Sequence, residues 1–156
     1  IDHYKPDPAC AEPGHLVFTG VMDYFPNVDG CAWFAREILP LIRAEVPEAH
    51  FTIVGSKPTP EVKALASLDG VEVTGYVDDT RDYLRRAAVS VAPLRVARGI
   101  QNKVLEAMAM AMPTTPYRLP RAAVSGDDRP RRLEMNSTLA ARYAKVIRIA
   151  SIVSPS

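Results

Sequence analysis

The sequence predicts an α/β domain built on a doubly wound parallel sheet, and three observations carry that expectation. Short apolar runs ending in glycine recur at 15–20 (HLVFTG), 50–55 (HFTIVG) and 71–75 (VEVTG), and a fourth run, VSVAPL, occupies 89–94. The segments between them carry apolar residues at helical spacing. Strand and helix alternate at short intervals, which is the pattern of βαβ units rather than of separate all-α or all-β layers.

The 15–20 run is mostly apolar before its glycine, as expected of a parallel strand covered on both faces. After it, NVDGCAWFAREILPLIRAEV places Ala32, Phe34, Ala35, Ile38, Leu39, Ile42 and Val46 at steps of three and four, an amphipathic helix. Asn27 or Asp29 is the expected cap, and Pro40 is expected to kink the helix or open a second piece. The 50–55 run is the second strand, and PEVKALASL at 60–68 reads as a short helix with proline in its tolerated first-turn position. The 71–75 run is the third strand, Asp79 or Thr80 starts TRDYLRRAA, and 89–94 is the fourth strand.

Composition sets the outer bounds. The chain has 156 residues, 47% hydrophobic and 24% charged, the profile of an ordinary globular domain with room for one core. No apolar run approaches the roughly 18 residues of a membrane helix. Residues 1–14, with three prolines and neither a basic nor an apolar leader segment, read as a linker and not as a secretory signal. Cys10 and Cys31 are too few for a disulfide framework or a zinc site, which suits a reducing cytosol. His3, His15 and His50 make no metal-ligand spacing, so no metal is expected.

Net charge is +1, but residues 1–112 hold 11 basic and 15 acidic side chains whereas 113–156 hold 8 and 3. The arginine-rich end lacks the glycine and aromatic interleaving of RNA-binding segments, so nucleic acid is not an expected partner.

In a doubly wound sheet, ligands bind at the carboxyl ends of the strands. The turns after Gly20, Gly55, Gly75 and Leu94 should therefore line one edge. No Walker loop and no G-x-G-x-x-G fingerprint is present, which argues against an NTPase or a dehydrogenase. The fourth turn leads into the stretch PLRVARGIQNKVLEAMAMAM, residues 93–112. A helix beginning there would offer unpaired N–H groups and a partial positive charge to phosphate, with Arg95, Arg98 and Lys103 adding cations. Val104, Leu105, Met108 and Met112 form its apolar face, and Asn102, Lys103 and Glu106 share another. A carboxylate at Glu106 suits the vicinal hydroxyls of a ribose; an ion pair between Glu106 and Lys103 on a solvated face is the alternative.

The segments LVFTGVMDYFPNVDGCAWFAREILPLIRAEVPEAHFTIVG, VEVTGYVDDTRDYLRRAAVSVAPLR and GIQNKVLEAMAM, in that order, resemble the C-terminal, donor-binding half of a retaining GT-B glycosyltransferase of family 4. The wording is nearest to the sugar transferases of bacterial exopolysaccharide and exosortase systems. The likeness covers residues 15–112, and IDHYKPDPA resembles the passage from acceptor half to donor half in such enzymes. The resemblance implies a Rossmann-like sheet and a nucleoside diphosphate sugar, UDP- or GDP-linked, bound without a metal or other cofactor.

By that resemblance, Gly20 and Val21 lie near the diphosphate, and Gly55, Lys57, Tyr76 and Val77 border the base. Gly99, Ile100 and Gln101 face diphosphate and sugar, and Glu106 is the second acid of the Glu-x7-Glu motif, holding the ribose. The first acid of that motif falls at Arg98, so the expected sugar contact is basic here. Val21 and Asn27 replace an arginine and a lysine common in the family. The diphosphate is therefore assigned to Arg98 and Lys103, with Lys57 as a lesser contributor.

After EAMAM the family pattern continues with a glycine and a Gly-x-Pro-Val-Val strand, whereas this chain reads AMPTTPYRLPRAAVSGDDRPRRLEMN. No fifth strand is expected from it. Residues 113–156 are set apart as an atypical tail, read either as a frameshifted, partly disordered end or as a native one whose Leu139, Tyr143, Val146, Ile147 and Ala150 form an amphipathic helix. The resemblance further implies that transfer needs an acceptor domain, that the chain by itself binds nucleotide weakly and transfers little, and that the parent enzyme works in the cytoplasm, in peripheral contact with the inner face of the membrane. A receiver-like or interaction module without catalysis is the competing reading; it requires an acidic cluster at the strand ends, where the sequence offers Asp78 and Asp79 alone.

Overall fold

The computed structural model describes residues 11–93, 114–116, 141, 144 and 145. Its strands are β1 (Glu12–Thr19), β2 (His50–Val54), β3 (Val71–Gly75), β4 (Ala87–Ala92) and β5 (Thr114–Pro116). All pair in parallel, in the order β3-β2-β1-β4-β5. The predicted doubly wound α/β fold is therefore present. β1 sits at the centre because it is apolar on both faces: Leu16, Val17 and Phe18 are all fully buried.

Alternation along the strands sends residues to two separate apolar layers. Leu16, Phe18, Phe51, Ile53, Val89 and Val91 face one layer, which takes in the first helical segments. Val17 and Val54 face the other, with Leu84 and Ala87, and Val77 and Tyr83 pack against its rim. The order explains this division. The chain steps outward from β1 to β2 to β3 with its helices on one face, then must cross back over the sheet to lay β4 beside β1, and α4 (Arg81–Arg86) covers the opposite face during that return.

The long helix predicted after β1 forms as α1 (Phe25–Trp33), a π-helical turn (Phe34–Ile38) and α2 (Leu39–Glu45). Pro40 is the cause of the interruption: without an N–H it cannot bond the carbonyl four residues back, and the Leu39 N–H instead reaches the Phe34 carbonyl. The start differs from expectation. The helix begins at Phe25, with Pro26 in its first turn and Tyr24 as an N-cap that makes no side-chain bond. Asn27 is not the cap; it is buried and its side-chain amide donates to the Val21 carbonyl at 2.8 Å, tying the turn after β1 to the helix. α3 (Pro60–Ala64) opens as predicted, with the Thr59 hydroxyl accepting from the Val62 N–H at 3.3 Å.

Two further corrections concern the ends. β1 starts at Glu12, inside the stretch read as linker, where Glu12 pairs with Ala87. The segment read as lacking a strand contributes β5, in register with Ser90, Val91 and Ala92 of β4. Ala141, Ala144 and Lys145 are helical, and Ala144 is fully buried in the larger core layer while its two neighbours are exposed. The residues assigned to the apolar face of that helix lie outside the described residues.

The carboxyl ends of three strands are stitched into one edge. Gly20 N–H donates to the Val54 carbonyl at 3.0 Å, Met22 N–H to the Ser56 carbonyl at 2.8 Å, and Gly55 N–H to the Gly75 carbonyl at 3.2 Å. A Cβ at Gly55 would lie 1.6 Å from the Gly20 carbonyl oxygen, so this backbone contact admits glycine alone. At Gly75 the restriction is conformational: φ is 73°, and a Cβ would meet nothing within 4 Å.

Two stability predictions follow from these contacts. Gly55→Ala should cost at least about 2 kcal/mol, because two backbones must separate, whereas Gly75→Ala should cost only about 1 kcal/mol for its left-handed φ. Urea denaturation midpoints of the two variants check this, and equal losses would contradict the close approach. Leu84→Ala, which empties the centre of the smaller layer, should cost about 2–4 kcal/mol in the same measurement.

Candidate functional site

In this strand order the direction of winding reverses between β1 and β4, and the crevice at such a reversal is where α/β sheets hold ligands. The turn at Gly20 and Val21 forms one side of it. Arg98, Gly99, Ile100, Gln101, Lys103 and Glu106 lie outside the described residues.

The structure brings together the expected residues of the first three strands. Gly20 and Gly55 touch through their backbones, and Gly75 is bonded to Gly55, so the three turn glycines do line one edge. Val21 is 46% exposed beside them. Tyr76, directly after β3, is 74% exposed, a flat ring in solvent at the same end of the sheet. Val77 behaves differently. It packs against the smaller apolar layer and anchors the chain between β3 and α4.

Lys57 occupies the turn after β2 with φ 52°, a left-handed conformation unusual for a residue with a side chain. Its ammonium lies 3.7 Å from Asp23 Oδ2 in the turn after β1. Both groups are exposed, so the pair is worth little in stability, but it places a carboxylate beside the cation named for phosphate. Asp23 was missed in the sequence because its role depends on two turns meeting. Tyr24 and Phe25, 56% and 67% exposed, add apolar surface to the same turn; their place within a helical stretch gave no sign of it.

Of the acids after β3, Asp79 is already engaged. Asp79 Oδ1 accepts from the Arg81 backbone N–H at 2.9 Å, and its carboxylate grips the Arg81 guanidinium at 2.6–2.9 Å. The side-chain hydrogen bonds from Arg81, helped by its backbone, hold the Asp79 carboxyl down at about 2. Among the described residues no group of three metal-ligating side chains stands at this edge; the one such group is Glu12, His15 and His50 at the amino end of β1 and β2. The acidic cluster that a receiver-like module needs is thus missing from the described part of the edge. A groove between α1 and α3, lined by Phe25, Trp33, Arg36 and Glu61 among others, contains none of the expected donor-binding residues.

No described helix is long and apolar enough to cross a membrane. No curated protein matches the chain. The solved structure of TarM is similar in fold, with a TM-score of 0.69 at 13% identity; the likeness covers 96% of this chain and 31% of that one. This chain thus spans about a third of the length of TarM. The family described as glycosyl transferases group 1 matches residues 13–142. That match takes in the described sheet from the second residue of β1 onward, with its glycine edge, and the chain belongs to the group 1 glycosyl transferases.

Proposed function

We propose that the chain is the nucleotide-sugar half of a retaining transferase that moves a sugar from UDP or GDP to a glycan or lipid-linked acceptor, of the kind used in exopolysaccharide synthesis. The observation that carries this reading is the strand order β3-β2-β1-β4-β5, whose reversal of winding opens a crevice beside the Gly20 turn. In it, Gly20 and Val21 offer backbone close to the diphosphate, and Tyr76 offers a ring face against which a base can stack.

Arg98 and Lys103 neutralise the diphosphate, and Glu106 accepts from the ribose hydroxyls. The chemistry asks for this arrangement. When the glycosidic bond breaks, negative charge builds on the departing diphosphate, and fixed cations and amide dipoles in a water-poor crevice stabilise that charge more than they stabilise the bound donor. Arg98 adds a cation where the family places an acid, so in this chain the sugar-proximal end of the site is also drawn toward phosphate. Lys57 contributes less, since Asp23 stands 3.7 Å away and shares its charge. A facing acceptor domain supplies the nucleophile's position and excludes water.

A thermal-shift titration of the whole chain with UDP, GDP and ADP tests this, because a ligand that binds only the folded state raises its midpoint. Stabilisation by one of the uridine or guanosine nucleotides is expected, and absence of a shift with all three would reject the reading. In Arg98→Ala/Lys103→Ala the affinity should fall at least about tenfold, a loss of about 1.4 kcal/mol. Unchanged affinity would remove both residues from the diphosphate.

A further inference from the structure

Three side chains at the amino end of the sheet, far from the Gly20 edge, face one another with nothing between them but lone pairs. Parallel register sets His15 of β1 directly opposite His50 of β2, and their rings stack at 4.5 Å and 14°. Glu12 Oε2 lies 3.5 Å from His15 Nδ1 and 3.7 Å from His50 Nε2. The three ligand atoms fall within 4.8 Å of one another.

The hydrogen bonds around the cluster decide where the protons are. The Thr52 hydroxyl donates to Glu72 Oε2 at 3.3 Å, so toward His15 Nε2, 2.9 Å away, it acts as acceptor. Neutral His15 therefore carries its hydrogen on Nε2, and Nδ1 is a bare lone pair. That atom is buried and has no hydrogen-bond partner. His50 Nδ1 lies 3.2 Å from the Glu48 carbonyl oxygen, which only accepts, so the neutral tautomer of His50 carries its hydrogen on Nδ1 and turns the Nε2 lone pair toward Glu12. The other Glu12 oxygen, Oε1, is taken by the Arg86 Nε–H at 2.8 Å, which leaves Oε2 facing the imidazoles.

We propose that Glu12, His15 and His50 form a binding site for Zn2+ or a similar borderline divalent ion. Two imidazole nitrogens and one carboxylate oxygen are a zinc donor set, and the other nitrogen of each ring is held by a hydroxyl or a carbonyl, as ligating histidines require. Bonds of about 2.1 Å in a tetrahedron put ligand atoms roughly 3.4 Å apart, close to the two Glu12 separations. Capture needs the stacked rings to splay, since imidazole lone pairs lie in the ring plane; His50, with 37% of its side chain exposed, is placed to turn. Three dative bonds form and a water completes the fourth position. Magnesium, which demands six oxygens, is not accepted.

The ion would clamp β1 to β2 and, through Arg86, to the end of α4. His50 opens β2 and Gly55 follows its last residue, so five residues of strand set the ion roughly 16 Å from the glycine edge. Its role is to fasten the sheet, not to meet the sugar donor, and it does not depend on the nucleotide reading.

The test is titration of the full chain, stripped of metal with EDTA, by Zn2+, Co2+ and Mg2+, read by calorimetry, thermal midpoint and the visible absorption of bound Co2+. One equivalent of Zn2+ should bind and raise the midpoint, Co2+ should give the intense band of a four-coordinate site, and Mg2+ should do neither. His50→Gln and Glu12→Gln, both at partly exposed positions, should each weaken Zn2+ by at least about tenfold while circular dichroism stays that of the folded chain. The double variant His3→Gln/Cys10→Ser should bind as the parent does. Absence of stoichiometric zinc binding, or zinc binding that survives His50→Gln and Glu12→Gln but is lost in His3→Gln/Cys10→Ser, would overturn the proposal.

Discussion

The contact between the Gly55 backbone and the Gly20 carbonyl is the constraint on which the rest of the candidate donor site depends. A side chain at Gly55 would sit 1.6 Å from that oxygen. Because it has none, the turns after β1 and β2 close on one another, Met22 reaches the Ser56 carbonyl, and the turn after β1 is drawn level with the end of the sheet. Asn27 fixes the same turn from the helix side through the Val21 carbonyl. The backbone at Gly20 and Val21 is therefore held from two directions before any ligand arrives, and a site preorganised in this way does not spend binding energy on ordering itself.

The order of the strands turns that local constraint into a site. β1 lies between β2 and β4, buried on both faces, and the winding reverses across it. A parallel sheet of this kind leaves its crevice at the reversal whatever the loops contain. What the loops contain decides the chemistry, and on the described side of the crevice they place a glycine turn beside one acid, Asp23, and its partner cation, Lys57. The opposite end of the sheet has another character, with two imidazoles, a carboxylate and a guanidinium gathered where β1 and β2 begin.

Much of the fold was legible because burial on both faces makes a strand predominantly apolar, and LVF at 16–18, FTIV at 51–54 and VSVA at 89–92, with only the small polar Thr52 and Ser90 among them, fit that pattern. The two-sided layering and the glycine edge followed from it. Glu12 escaped because a strand's first residues, exposed and beside prolines, carry no apolar signal. Thr114–Pro116 escaped for a related reason: three residues with a proline at the rim of a sheet offer almost nothing to periodicity. The π-helical turn was foreseen only as a consequence of Pro40, since the missing N–H predicts an interruption but not the form it takes. Pairings across turns, such as Lys57 with Asp23, and across register, such as His15 with His50, are 34 and 35 residues apart and become visible only when the strands are laid side by side.

The central claim is that a nucleoside diphosphate lies in the crevice beside β1, against the backbone that Gly55 holds in place. Backbone amide chemical shifts of the isotopically labelled chain, followed by NMR as UDP or GDP is added, test it most directly. The account predicts the largest movements at Gly20, Val21 and Gly55, with Tyr76 following and the amides near Glu12 and His50 unmoved. Movements confined to the groove between α1 and α3, or to the amino ends of the strands, would contradict it.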